Sequence, residues 1–199
     1  MYRLTPVVKN IIFICVAAFI ANAMFPAYGI TLRMALWKLD TDLFRPYQLL
    51  TYMFAHGGIG HLFFNMLSFA FMGSQLEMVW GFKRFLLYYL ITGIGAAVVY
   101  LLAEYMFASR GMGTPLGVPG MMVGASGAIY GILMAYGVMY PDMEIQLIIP
   151  PVSIKAKYMV IVLGVFAYLM DPSGQVAHWA HIGGAVVGFL VLRLGLLRE

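Results

Sequence analysis

Residues 122–140 read Met-Val-Gly-Ala-Ser-Gly-Ala-Ile-Tyr-Gly-Ile-Leu-Met-Ala-Tyr-Gly-Val-Met-Tyr, a run of 19 positions without one charged side chain. About 20 apolar residues in a helix cross a bilayer core, so the run predicts a membrane span. Five more apolar stretches surround it: Ile11–Tyr28, His61–Trp80, Phe85–Phe107, Tyr158–Met170 and Ala177–Leu197. Tyr158–Met170 is the shortest, confined between Lys157 and Asp171. Composition agrees with this reading. Of 199 residues 63% are hydrophobic and 10% charged, with a mean hydropathy of +0.90. Soluble domains carry about 25% charged residues, and disorder has the opposite signature of low hydrophobicity. The expectation is an all-α polytopic membrane protein, residues 1–199 forming a single membrane domain of six spans with no room for a separate soluble one. The net charge of +4 is too sparsely spread to suggest nucleic acid. Cys15, the lone cysteine, lies inside an apolar run, which excludes a disulfide framework within the chain.

With the amino terminus inside, Arg3, Lys9, Lys83, Arg84, Lys155, Lys157, Arg193 and Arg198 fall on the cytoplasmic side, and Arg33, Lys38, Arg45 and Arg110 outside. Eight against four obeys the positive-inside rule. Arg3 and Lys9 ahead of an apolar run ending in Ala21-Asn22-Ala23 also fit a secretory signal, whose removal would leave the other five spans oriented as before. Three of the outer cations lie in one loop, Ile30–Gly60, which is too long and too apolar for a plain connector. Its pieces Leu32–Trp37 and Tyr47–Phe54 read as short amphipathic segments lying at the outer interface.

Polar side chains within a membrane are costly and therefore mark functional candidates. Asp40, Asp42, Asp142, Glu144, Asp171 and Glu199 fall in loops or at the terminus, and Glu77 and Glu104 near span ends, so the two facing carboxylates of an aspartyl mechanism are missing. His56, His61, His178 and His181 include no His-Glu-x-x-His pattern, and neither a metal nor a cofactor is expected. Gly124-Ala125-Ser126-Gly127 opens the fourth span after a glycine- and proline-rich loop, residues 111–120. His181 stands near the start of the sixth, in Ala180-His181-Ile182-Gly183-Gly184. Both spans run from outside to inside, and at 1.5 Å per residue both side chains lie roughly 8 Å below the outer surface. A serine needs a base to take its proton, and histidine is the usual one. His61 and Asn65, at i and i+4 near the outer start of the second span, share a helical face at the same depth. With the Ser126 N–H they could receive a developing oxyanion; equally, they could serve as polar contacts between helices, worth about 0.6 kcal/mol each.

Taken together, these residues resemble the rhomboid intramembrane serine proteases: six spans, a long first outer loop, His-x-x-x-Asn in span two, Gly-x-Ser-Gly in span four and Ala-His-x-x-Gly in span six. The resemblance implies Ser126 as nucleophile and His181 as general base, working without a third acid. It implies His61, Asn65 and the Ser126 N–H as the oxyanion hole, and Tyr130 as the aromatic packed on the catalytic imidazole. Gly184 and Gly188 match the small-residue face of the family's sixth span, for which Gly127 and Gly131 of span four offer a matching surface. Span five resembles the element proposed to gate lateral substrate access. His56 matches a histidine of structural character, and His178 reads as a solvated loop residue. Tyr47-Gln48 stands where the family often has Trp-Arg, which leaves the anchoring of the first loop open. The expected partners are transmembrane-protein substrates and membrane lipids. The expected setting is multi-pass in a bacterial inner (plasma) membrane, with the site opening to the extracytoplasmic side. A catalytically dead relative that binds membrane proteins is the alternative, signalled by loss of the serine or histidine. A small transporter would need charged residues along a pathway between spans.

Overall fold

The computed structural model describes residues 3–108, 121–147, 151–171 and 177–197. Arg110, the loop 111–120 and Arg198 lie outside the described residues. Helix α1 (Pro6–Met24) begins ahead of its apolar run because Thr5-Pro6 is a start signal, proline at the first position lacking only an N–H that has no partner there. The donors of that first turn are met from far along the chain. The Glu77 carboxylate accepts the N–H groups of Val7 at 3.0 Å and Val8 at 3.1 Å, and the Thr5 hydroxyl donates to it as well. This buried acid thus caps a helix whose dipole favours a negative charge there.

The first loop departs from the expected pair of interfacial segments. Its first piece divides into α2 (Ile30–Met34) and strand β1 (Leu36–Trp37), which pairs antiparallel with β2 (Met121–Met122). Its second piece forms α3 (Gln48–Thr51) and a 3₁₀ turn (Tyr52–Phe54), and it enters the core: Gln48, Tyr52 and Met53 are buried. Gln48 supplies the anchoring that the sequence left open. Its Oε1 accepts from the N–H of Arg45 at 3.0 Å and Trp37 at 3.4 Å, while its Nε2 donates to the carbonyls of Leu43 at 3.0 Å and Arg33 at 3.4 Å. A buried amide is tolerated when its donors and acceptors are met in this way. Lys38 adds an ion pair at 2.7 Å to Glu104, fastening the loop to the end of a long helix.

Helix α4 (Ile59–Ser68) passes through one π turn (Phe69–Gly73) into α5 (Ser74–Ala108), which breaks at Gly81, where φ is 77°. Helix α6 (Ser126–Met139) starts later than its apolar run because residues 121–122 pair as a strand and Gly124 has a φ of 116°. The hairpin β3 (Glu144–Gln146) and β4 (Ser153–Lys155) leads into α7 (Ala156–Leu169), and α8 (His178–Arg193) follows. At the hairpin Lys155 and Lys157 lie 3.4 and 2.8 Å from Asp142, whose carboxyl their hydrogen bonds hold below its ordinary value. By length and composition α1 and the stretch Ile59–Phe107 suffice to cross a membrane, while α6 and α7 are shorter apolar helices. Helix α6 is the central element: it is buried from Gly127 to Leu133 and packs chiefly against α8, α5 and α7. Tyr52, Phe69, Phe85, Tyr88, Tyr89 and Ile132 fill the core around it.

Candidate active site

The turn into α6 is made by Gly124. Its positive φ disfavours any side chain, and a Cβ there would lie 2.6 Å from His61 Nε2. Its N–H donates to the Tyr52 carbonyl at 2.9 Å, and the Tyr52 hydroxyl donates to the Gly93 carbonyl at 2.7 Å, so the buried end of the first loop holds the turn. Ser126 follows as the first residue of α6. At that position a backbone N–H has no carbonyl from a preceding helical turn to bond to.

His181 Nε2 lies 2.9 Å from Ser126 Oγ. Two glycine pairs allow this approach. A Cβ on Gly184 would stand 1.9 Å from the Gly127 carbonyl oxygen, and one on Gly188 would stand 3.1 Å from Gly131 Cα. Helices α6 and α8 thus meet backbone to backbone along the faces that carry the serine and the histidine. The imidazole lies parallel to the Tyr130 ring, with centroids 4.2 Å apart and planes 7° apart. Tyr130 is at i+4 from Ser126 and on the same helical face. An aromatic face in this position would also attract the ring in its charged, protonated form. His181 Nδ1 is buried and has no hydrogen-bond partner among the described residues, so packing, with no described acid bonded to the ring, sets its orientation.

On the facing element α4, His61 sits in the first turn with its ring against Gly124. Asn65, one turn on, is buried; its Nδ2 donates at 2.9 Å to the His61 carbonyl, and its Oδ1 has no hydrogen-bond partner among the described residues. The amide carries two donor hydrogens, so one remains for a ligand. His56 lies just before α4, edge-on to His61 with centroids 5.1 Å apart. Burial pushes His56 down to about 4, so at neutral pH it acts by shape rather than by charge.

The structure therefore gathers Ser126, His181, Tyr130, Gly124, Gly127, Gly184 and Gly188 along the facing sides of α6 and α8, and brings His61 against Gly124 from α4. It corrects the reading of His178. That residue is no solvated loop position: it opens α8, is buried, and its Nε2 lies 3.4 Å from Asp171 Oδ2. Asp171, ten residues before His181 in sequence, therefore stands next to the site in space. The spacing His178-x-x-His181 puts both rings on one helical face, which is the signal that could have revealed it.

The chain matches the family model of the Rhomboid domain over residues 43–198. It is 32% identical over 162 residues to RHOMBOID-like protein 2 of Arabidopsis thaliana, across 77% of this chain and 43% of that protein. It is 30% identical over 144 residues to the Rhomboid protease GluP of Bacillus subtilis (strain 168), across 72% of this chain and 25% of that protein. With RHOMBOID-like protein 12, mitochondrial, of Arabidopsis thaliana it shares 28% over 190 residues, covering 84% of this chain and 54% of that one. The chain thus spans between a quarter and about half of the length of these relatives.

Proposed function

The chain belongs to the rhomboid family, and from that premise we propose that it is an intramembrane serine endopeptidase that hydrolyses peptide bonds in or near the transmembrane segments of other proteins. The observation that carries the reading is the 2.9 Å approach of His181 Nε2 to Ser126 Oγ. In this mechanism His181 takes the hydroxyl proton as Ser126 attacks the scissile carbonyl. The oxyanion then faces the Ser126 N–H, His61 and the Asn65 amide. His181 returns the proton to the leaving amine, and a water activated by the same imidazole releases the acyl group. No cofactor or metal enters these steps.

In the same reading residues 1–199 form one membrane domain. Its six apolar helical segments, 6–24, 59–80, 82–108, 126–139, 156–169 and 178–193, each cross the bilayer. The count of cations orients them with the site opening to the extracytoplasmic side, and a bacterial inner (plasma) membrane is the proposed setting. Lipids surround the domain. Transmembrane segments are its substrates, and a substrate helix must unwind locally before its backbone can be attacked.

Co-expression with single-span reporters, comparing the native chain with Ser126→Ala, tests the proposal. The expected cut lies near the outer end of the reporter span, after a small residue and close to a glycine or proline that loosens the helix. A cut mapped by mass spectrometry to the cytoplasmic half would contradict both mechanism and orientation. The oxyanion assignment has its own test. Loss of one donor costs about 10²–10³ in turnover where few donors share the charge, and here three share it. Asn65→Ala and His61→Ala are each expected to lower kcat about 10- to 100-fold with KM nearly unchanged, because the contact forms in the transition state. A raised KM with intact kcat would make the residue a binding or packing element.

A further inference from the structure

His181 can serve as base only while Nε2 faces Ser126, yet among the described residues its Nδ1 has no hydrogen-bond partner. Tyr130 fixes one face of the ring. Nearly perpendicular to it stands the ring of His178, with centroids 6.1 Å apart and planes 88° apart. His178 is held in turn. Its Nε2 lies 3.4 Å from Asp171 Oδ2, and its ring meets Tyr168 edge-on with centroids 5.5 Å apart. The side chains of His178 and Asp171 are 8% and 4% exposed. A carboxylate withdrawn from water to this degree is costly unless partnered, and the His178 ring that abuts the base is one such partner. At the end of α7 that carries these groups Val165, Phe166, Leu169 and Met170 are exposed, and the buried residues of α7, Ala156 and Met159, lie at its other end.

We infer that Asp171 and His178 form a positioning pair for the general base, Asp171 fixing the His178 ring and His178 fixing the tilt of the His181 imidazole between itself and Tyr130. The inference rests on the protease reading above and adds to it the group that orients a histidine with no acid of its own. Neither residue reaches the reacting atoms. They act through His181, and they make its orientation depend on where the end of α7 sits.

The test uses the full chain in detergent, with two rates read on the same samples: labelling of Ser126 by a fluorophosphonate, which needs the base but no substrate helix, and cleavage of a single-span reporter, resolved into kcat and KM. A misplacement of about 1 Å can cost about 10²-fold, and a loosened ring loses part of that. Asp171→Asn, nearly identical in shape, and His178→Phe, which keeps an aromatic edge, are each expected to slow labelling and kcat about tenfold while KM stays within about twofold. The double variant falls no further than either single one, since the two residues act as a unit. Asp171→Glu, which keeps the carboxylate, recovers most of the rate. Thermal unfolding of each sample separates these effects from loss of fold. Unchanged labelling in both single variants overturns the inference. So does a change in KM or reporter cleavage at constant labelling, which would make the pair a determinant of substrate access along α7, and so do losses that multiply in the double variant. A native chain that fluorophosphonate does not label overturns the protease reading itself, whereas labelling of native and variant chains at one rate overturns the positioning pair alone.

Discussion

Ser126→Ala and His181→Ala are expected to be equally inactive, and the double variant no worse than either. A serine hydroxyl is almost wholly protonated at neutral pH, so its attack depends on a base that removes the proton as the bond forms. Ser126 Oγ and His181 Nε2 lie 2.9 Å apart, and in the proposed mechanism they work as one device that the loss of either half disables. In a serine protease whose nucleophile and base act as a unit, each loss costs about 10⁶ in turnover, and the losses do not add. A deficit of about 10⁴ or more is expected here, at the floor of a reporter assay. Ser126→Ala removes one oxygen at the first position of α6 and leaves the Tyr130–His181 stack in place, so insertion and thermal unfolding should match the native chain. His181→Ala empties the space between Tyr130 and His178 and should lower Tm as well. Fluorophosphonate labelling completes the measurement, since it must vanish in Ser126→Ala and fall to background in His181→Ala. Cleavage near the native level in either variant would remove the pair from the mechanism.

What could be read from the sequence follows the range of the interactions concerned. Apolar runs report on the nearest 20 or so residues, and each of the six runs carries a helix. Helix ends are set by partners farther off. The start of α1 depends on Glu77, some 70 residues along the chain, and the late start of α6 depends on the pairing of Met121–Met122 with Leu36–Trp37. No window on the sequence contains such partners. Polar residues in the first loop show the same limit. Tyr47-Gln48 leaves the anchoring of the loop open in the sequence, yet Gln48 meets four backbone groups drawn from Arg33, Trp37, Leu43 and Arg45, a set that exists only once the loop has closed. Ser126, His181, His61 and Asn65 were legible as candidates because each stands near the start of an apolar run, so depth could be counted along single helices. His178 was legible only as a spacing with His181, because its contact with Asp171 forms once the end of α7 has packed beside α8. The glycine faces of α6 and α8 were readable as a spacing, while the closeness of the contact they permit is a property of the packed pair.

That contact sets up the other large expected effect. A Cβ on Gly184 would lie 1.9 Å from the Gly127 oxygen and 2.7 Å from its carbonyl carbon. These are backbone atoms and cannot swing aside as the end of a flexible side chain could, so the helices must part by about 1 Å or the fold must give way. Gly184→Ala separates the explanations. Alanine favours a helix over glycine by about 1 kcal/mol, so any loss of activity cannot come from weakening α8 itself. It comes from moving His181, one turn earlier on the same face, away from Ser126. A displacement of about 1 Å costs about 10²-fold in rate, and Gly184→Val, with two further carbons against the same wall, should exceed that. Gly164→Ala is the control, because its added Cβ meets nothing nearer than Tyr130 Cε1 at 4.0 Å and should leave the rate within about twofold. Labelling rate and thermal unfolding, measured on the same samples, decide the matter. The expected result is a fall in labelling by about 10² in Gly184→Ala at temperatures where the protein is still folded. Labelling at the native rate would mean that the dyad tolerates a wider gap between α6 and α8, and that the glycine face serves packing alone.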